Sequence, residues 1–324
     1  MTELNSCGNG FTPPVPLNTA ILFLVFNRPD TTQQVFDAIR QAKPPRLYVA
    51  ADGPRATREG EAERCAVVRQ IATLVDWHCE VFTLFREQNL GCGRAVSSAI
   101  SWFFENEEQG IILEDDCLPS QSFFYYCQEL LTRYSDDERV MCVSGGNFQR
   151  GQRVTSDSYY FSRYPHIWGW ASWRRAWKHY DFELERWPSF RAARGLRSLS
   201  DGNTLFESYW KNIFNSAREI DTWDYQWTFS CWAQNGLTVL PVVNQVTNIG
   251  FGSDSTHTMN ASSPLANMAA LELQFPLAHP SLLIRNVEAD ARTDRDLFGI
   301  TWLRETKRRF LRLVANRGTK KSRD

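Results

Sequence analysis

Short apolar runs alternate with amphipathic segments through the first half of the chain. Runs of branched and aromatic apolar residues predict buried strands, and apolar residues spaced three or four apart predict helices that bury one face. The predicted strands cover residues 20–26, 47–51, 81–85, 110–113 and 140–144. The predicted helices cover residues 30–42 and 58–75, a segment ending near residue 106, and a segment that Pro119 opens. This alternation predicts an α/β fold with a mostly parallel sheet, right-handed crossovers and helices on both faces.

Polar residues cluster where the predicted strands end. Arg28 follows the first strand, Asp52 the second, residues 89–94 the third and residues 114–116 the fourth. Because the carboxyl ends of parallel strands lie at one edge of a sheet, we expect these residues, Arg94 included, to line one crevice. Gly91-Cys92-Gly93 is too short for a dinucleotide fingerprint, and we expect it to leave room for a ligand beside a helix start.

Three carboxylates, Glu114-Asp115-Asp116, follow the fourth strand without a spacer. Adjacent like charges repel, so such a cluster needs a counter-charge, and a hard divalent cation with oxygen ligands is the usual one. The structural alternative is that the acids only cap the next helix and favour its positive end. Both interpretations are open from the residues alone.

The second half of the chain has a different character. Residues 159–187 are dense in aromatic and basic side chains, and residues 204–218 predict a helix. Asp224 opens a further helix that Gly236 closes, and residues 237–243 predict a strand. Residues 248–263 form a long Gly- and Ser-rich loop of the kind that closes over ligands, in which Ser253 offers a donor to phosphate. Trp168 and Trp170 suit the core better than sugar stacking, although one of them can do both.

Composition narrows the function less than the motifs do. The net charge of −1 provides no global field for nucleic acid. The eight cysteines include no C-x-x-C pair, which favours a reducing compartment, and we expect a cytoplasmic protein because no signal peptide or membrane span is visible. Residues 304–324 carry nine Lys or Arg against two acids, so this tail either packs on the domain or contacts an anionic membrane surface peripherally.

Taken in order, the motifs resemble those of GT-A nucleotide-sugar glycosyltransferases. The chain is similar to the inverting N-acetylglucosaminyltransferase I type from about residue 20 to residue 257. The motifs that carry this resemblance are VFNRP (25–29), AADG (50–53), ILEDD (112–116), CVSGGN (142–147), WGW (168–170), WDYQW (223–227) and GFGSDSTH (250–257). The expected organisation is a polar tail (1–18), a GT-A domain (19–265, with a donor half at 19–148 and an acceptor half at 149–265) and a C-terminal extension (266–324).

The resemblance implies a role for each motif. Arg28 and Asp52 would contact the nucleotide, Glu114 and Asp115 the donor sugar or ribose, and Asp116 a Mn²⁺ or Mg²⁺ ion that bridges the diphosphate. Asp224 would be the catalytic base, and residues 250–257 would close over the diphosphate. The remaining donor contacts that we expect are those of Arg94, Trp170, Ser253 and His257. The implied donor is a nucleoside-diphosphate sugar, with a UDP-sugar favoured and an N-acetylhexosamine among the candidates, and the acceptor is a glycan or glycolipid.

Several of these residues also have purely structural explanations. Asp224 suits a helix N-cap, Asp52 a turn and Arg28 a solvated turn, and a lone loop histidine such as His257 usually faces solvent. The family's enzymes of this type are usually luminal and membrane-anchored, features that this sequence does not display, so the acceptor stays open.

The chemistry also stands without the family. In sugar transfer the leaving diphosphate gathers negative charge, which a divalent ion and cationic side chains can neutralise, and one carboxylate can deprotonate the acceptor with inversion. Two other functions compete with this one. A nucleotidyltransferase that makes the nucleotide sugar would need a glycine-rich loop after the first strand, which residues 27–30 do not offer. A non-catalytic carbohydrate-binding protein would use the tryptophans but leave the acidic cluster unexplained.

Overall fold

The computed structural model describes residues 11–251, 265–266 and 268–301. Within these residues the strands are β1 (Ile21–Val25), β2 (Arg46–Ala51), β3 (Glu80–Phe85), β4 (Gln109–Glu114), β5 (Cys117–Pro119), β6 (Val140–Ser144), β7 (Tyr159–Ser162), β8 (Trp170–Trp173), β9 (Leu237–Pro241) and β10 (Val246–Asn248). The helices are α1 (Pro29–Ala42), α2 (Glu61–Thr73), α3 (Gly91–Asn106), α4 (Gln121–Arg133), α5 (Arg174–Trp177), α6 (Trp187–Ala192), α7 (Gly195–Leu199), α8 (Thr204–Ser216), α9 (Asp224–Ala233) and α10 (Val287–Asp296).

Eight of the strands form one sheet in the order β3-β2-β1-β4-β8-β6-β9-β7. The first four are parallel to one another, and β9 is parallel to β6, whereas β8 runs antiparallel to β4 and β6, and β7 to β9. The remaining two strands, β5 and β10, form an antiparallel pair. The predicted fold class, an α/β fold with a mostly parallel central sheet, is confirmed.

The sheet is covered on both faces. Along β1, Ile21, Phe23 and Val25 pack with residues of α1, α2 and α4, whereas Leu22 and Leu24 pack with residues of α3, α8 and α9 on the other face. This alternation follows from the period of two of a strand, and it explains why a strand buried on both faces is an uninterrupted apolar run.

The structure differs from the sequence prediction after the acidic cluster. Pro119 does not open a helix: it lies in β5, paired with Val246 of β10, and α4 begins at Gln121. The Glu272 carboxylate accepts hydrogen bonds from the backbone N–H of Gln121 at 3.0 Å and of Ser122 at 2.6 Å. The start of α4 is therefore capped by a residue distant in sequence, and the three acids that precede β5 do not cap it.

Residues beyond 265 share the same core. Leu273 and Leu277 are buried against the layer that contains α1 and α4. Arg163, which is 2% exposed, ion-pairs with Asp294 of α10 at 2.6 Å and lies beside Asp290 of the same helix. The proposed C-terminal extension (266–324) thus begins with residues that belong to the body of the fold.

Some predictions concern residues that the structure does not describe. Ser253, His257 and most of the predicted lid, and the basic tail at 304–324, lie outside the described residues. In the described part of the chain, no helix is long and apolar enough to cross a membrane.

Candidate active site

A cleft of about 420 Å³ opens at the carboxyl ends of β1, β2 and β4. Its lining includes Arg28, Asp52 and residues 114–116, and it also includes residues 221–224. The first set lies together because the three strands are neighbours in the sheet, with Leu24 opposite both Ala50 and Glu114. The convergence expected from the strand ends therefore includes these residues.

Arg28 supplies a counter-charge to the acidic cluster. One guanidinium nitrogen, Nη1, lies 3.1 Å from Asp116 Oδ2, and the other, Nη2, donates to Asp115 Oδ1. The Phe26 backbone N–H also donates to Asp115 Oδ2, at 3.3 Å. The Asp115 and Asp116 side chains are 4% and 12% exposed, so this pairing takes place with little water present.

Burial is the largest influence on the pKa values of Glu114 and Asp115. It raises the pKa of Glu114, and the negative charges of Asp116 and Asp115 raise it further. Burial also raises the pKa of Asp115, although the neighbouring Arg28 charge works in the opposite direction. Both carboxyl groups are thus held in an environment that favours a further positive charge or a shared proton.

The donor set at this cluster sets limits on the metal that fits. Asp116 presents carboxylate oxygens to the cleft, and a Cβ at Gly250 would collide with Asp116 Oδ2, so the main chain at 250 lies against that carboxylate. The described residues contain no group of three or more His, Cys, Asp and Glu side chains arranged as a metal cage. The residues therefore fit a cation held by one or two carboxylates together with diphosphate oxygens, a mode that Mg²⁺ commonly uses.

Asp52 organises the loop that precedes α3. Its carboxylate accepts hydrogen bonds from the backbone N–H of Leu90 at 3.0 Å and of Gly91 at 3.2 Å, and from the Asn89 side-chain amide at 2.9 Å. Burial raises the pKa of Asp52, and these donors oppose the increase. Asp52 also lines the cleft, so its structural and ligand-binding roles are compatible.

Sequence reasoning missed Asp221, which sits at the amino end of α3. Its carboxylate accepts from the backbone N–H of Cys92 at 2.9 Å and of Gly93 at 2.7 Å. A Cβ at Gly91, where φ is +81°, would lie 2.5 Å from Asp221 Oδ2. The glycines at 91 and 93 leave room for this carboxylate, and Gly91 also lines the cleft. Nothing in the local sequence around residue 221 indicates the contact.

Asp224 faces the cleft from the first turn of α9. Its Oδ1 atom accepts from the Thr222 hydroxyl and, at 2.9 Å, from the Tyr225 backbone N–H. The N-cap position belongs to Trp223, so Asp224 does not make the N-cap bond to an N–H two or three residues ahead. Among the described residues, no donor engages the second oxygen, Oδ2.

Two predicted donor contacts lie elsewhere. Trp170 is fully buried and stacks on Trp223 with ring centroids 5.6 Å apart, whereas Trp168 lines the cleft. Arg94 has a side chain that is 67% exposed and pairs with Glu183 at 3.2 Å outside the cleft lining. Trp170 therefore lies in the core and Arg94 at the surface, so a contact of either side chain with the donor would need a rearrangement.

Comparison with known proteins finds similar solved structures but no matching family model or curated sequence. The structure is similar to that of the mannosyltransferase PcManGT from Pyrobaculum calidifontis in complex with GDP-Man and Mn²⁺, with 14% identity, 53% of this chain and 50% of that chain covered, and a TM-score of 0.37. It is also similar to UTP-bound UGPase from Acinetobacter baumannii, with 9% identity, coverage of 71% and 88%, and a TM-score of 0.36.

A third similar structure is S. aureus TarS 1–349, with 11% identity, 52% of this chain and 51% of that chain covered, and a TM-score of 0.35. The match thus spans about half the length of TarS 1–349 and of the mannosyltransferase. Similarity at this level carries no argument about activity, which must come from the site itself.

The site combines three chemical capabilities. Arg28, Arg55 and Arg86 line the cleft and can neutralise an anionic ligand; the sequence prediction had identified only Arg28 of these three. The acidic cluster can hold a hard cation or sugar hydroxyls. Asp224 adds a further carboxylate to the cleft lining, which can accept a proton.

Proposed function

We propose that the protein is an inverting, metal-dependent glycosyltransferase, which moves a sugar from a nucleoside-diphosphate sugar to a hydroxyl of a glycan or glycolipid. The observation that carries this proposal is the content of one cleft: arginines, the acidic cluster and Asp224 all line it, and Asp224 has one oxygen unengaged by the described residues. A single displacement needs a base and a binding site for the leaving group in the same cleft, because the leaving group and the attacking hydroxyl lie on opposite faces of the anomeric carbon.

The donor-side wall would bind the nucleotide sugar, with a UDP-sugar favoured. Arg28 and Asp52 would contact the nucleotide, and Glu114 and Asp115 the ribose or the sugar hydroxyls. Asp116 would hold a Mn²⁺ or Mg²⁺ ion, which would supply positive charge to the diphosphate as it leaves. Trp168 takes the place of Trp170 as the aromatic group near the sugar, since Trp168 lines the cleft.

Asp224 would act on the acceptor. The Thr222 hydroxyl and the Tyr225 N–H both engage Oδ1, which fixes the carboxylate plane and leaves Oδ2 to accept the acceptor's proton. A fixed base contributes to the rate both by accepting the proton and by holding the hydroxyl in line for attack. Beyond the described residues, we propose that Ser253 and His257 contact the diphosphate as the lid closes, and that the tail at 304–324 reaches an anionic membrane surface from the cytoplasmic side.

The test is turnover of a panel of nucleotide sugars with and without Mn²⁺. Asp116→Ala should abolish Mn²⁺-dependent donor binding, whereas Asp224→Asn should keep nucleotide binding and lose about 10²–10⁴ in turnover. Asp37→Asn, on the exposed side of α1, is the matched control and should behave like the wild type. Metal-dependent turnover in Asp116→Ala, or normal turnover in Asp224→Asn, would remove the corresponding assignment.

The same panel separates the competing functions. A nucleotidyltransferase would release pyrophosphate from a nucleoside triphosphate and a sugar 1-phosphate, a reaction that needs no acceptor hydroxyl. A carbohydrate-binding protein would bind glycans without turnover. Burial of Trp170, Trp210, Trp223, Trp227 and Trp232 weighs against a binding function built on those five side chains.

A further inference from the structure

Strand β3 forms one edge of the eight-stranded sheet. Within the described residues it pairs only with β2, in an unbroken parallel register from Glu80 to Phe85. Val81, Phe82 and Phe85 are 38%, 37% and 37% exposed. An apolar strand exposed at a sheet edge is a template for pairing with another chain.

The packing of the neighbouring helices explains why the side chains of β3 are only partly covered. Helices α2 and α3 pack against β1 and β2 and extend little over the edge strand. Of the features that usually protect an edge, β3 has one charged residue, Glu80 at its start, but no lysine, no proline and no bulge.

The hydrogen-bonding groups of β3 divide between its two sides. The backbone N–H of Glu80 donates to Pro45 and that of Arg86 to Ala51, so the even-numbered residues face β2. In a parallel pair the residues between them direct their N–H and C=O groups the other way. Val81, Thr83 and Phe85 therefore present their backbone groups outwards.

We propose that β3 pairs with β3 of a second copy of this chain, antiparallel, about a two-fold axis that passes through Thr83. In this register Val81 faces Phe85 of the second copy, and Phe82 faces Leu84. Each Glu80 then lies opposite Arg86 of the other copy. The outward groups would form about six inter-chain hydrogen bonds and join the two sheets into one.

The charges favour a second copy as the occupant, and they favour this register. Glu80 is exposed, and Arg86 uses one guanidinium nitrogen on Ser98, at 2.7 Å, which leaves the rest of the group for a further partner. Pairing about Phe82 or Leu84 instead would place Glu80 or Arg86 opposite an apolar or uncharged residue. Only the register about Thr83 places opposite charges together at both ends of the strand, and opposite-charge pairs stabilise facing positions.

Sedimentation velocity of the full chain over a concentration series tests the association. We expect a monomer–dimer equilibrium that Val81→Lys and Glu80→Arg each weaken by about tenfold or more, because each places a cation against an apolar or like-charged neighbour. Val67→Lys is the matched control: Val67 is 43% exposed on α2, away from the edge, and its substitution should leave association unchanged.

A cross-linking variant tests the axis directly and does not depend on weakened binding. In Thr83→Cys the two new thiols face each other across the two-fold axis, with Cα atoms about 5.5 Å apart, within the range of a disulfide. Mild oxidation should give a covalent dimer with Thr83→Cys and none with Val67→Cys or the wild type. Two results would overturn the proposal: a chain that stays monomeric throughout the series, or a dimer that neither β3 substitution weakens and that Thr83→Cys does not cross-link.

Discussion

Replacement of Arg28 by alanine removes a cation that two poorly exposed carboxylates share. Among the described residues, Arg28 is the only basic side chain paired with Asp115 or Asp116, at a side-chain exposure of 24%. Breaking a buried ion pair from one side typically costs 3–5 kcal/mol, and because water reaches part of Arg28 we expect a loss of about 3 kcal/mol at neutral pH. The loss should shrink as the pH falls, because Asp115, whose pKa burial raises, needs no counter-charge once it is protonated.

Urea unfolding in the absence of nucleotide measures this loss, and Arg40→Ala provides the control. Arg40 also pairs with two aspartates, Asp37 at 2.7 Å and Asp76 at 3.3 Å, but these are 51% and 67% exposed. Exposed pairs contribute about 0–1 kcal/mol, so the control should lose little.

A second measurement links the same variant to the proposed metal. With Arg28 absent, Asp115 and Asp116 lose the basic side chain that pairs with them, so Mn²⁺ should stabilise Arg28→Ala more than it stabilises the wild type. If Arg28→Ala were no less stable than Arg40→Ala, the pairing would not matter for folding. Equal stabilisation of variant and wild type by Mn²⁺ would show that the cation does not use these carboxylates.

Three further variants probe the rim of the cleft. Glu61 is buried and ion-paired with Arg55, which lowers its pKa to about 2, so the charged carboxylate should stabilise the fold above about pH 4.5. Urea unfolding should show the stability of the wild type relative to Glu61→Gln falling between about pH 4.5 and 2. Thr222→Val should lower kcat with little change in the donor KM, because one fixed oxygen of Asp224 loses its donor, and Thr222→Ser should restore kcat; an unchanged kcat in Thr222→Val would contradict the role. Gly91→Ala should reduce thermal stability more than Gly202→Ala, since both have φ of +81° but only Gly91 lies against a carboxylate; equal losses would mean that backbone strain alone matters.

The sequence predicted the parallel half of the sheet well because each of its strands is a short apolar run bounded by polar residues. It missed β7 and β8, since both lie in an aromatic segment, residues 159–173, in which no alternation separates strand from loop. Pro119 was misleading for a related reason: a proline suits the first turn of a helix, but it also suits a short strand of this kind, where β10 pairs with it.

Local pattern predicted the part of the site that follows the strands, whereas Asp224 was named through the family resemblance. Arg28, Asp52 and residues 114–116 sit at strand ends, so local pattern and topology were enough to group them. Asp221 reaches the start of α3 across 128 residues of sequence, and no short-range pattern encodes such a contact. The sequence favoured the core for both Trp168 and Trp170, but nothing in it showed that Trp168, and not Trp170, lines the cleft.

The pairing of β5 with β10 affects the order in which the parts of the molecule fold during synthesis. The backbone carbonyl of Asp116 accepts a hydrogen bond from the Ile249 N–H at 2.8 Å, and the Ser120 N–H donates to the Gln245 carbonyl at 2.8 Å. Residues far downstream in the sequence therefore hold the turn that carries the acids. During synthesis this turn cannot be completed until residue 249 has left the ribosome, long after β1 to β4 are available. Nascent chains halted before that point should carry much of the sheet yet lack a finished acidic turn, which makes ligand binding a late marker of folding.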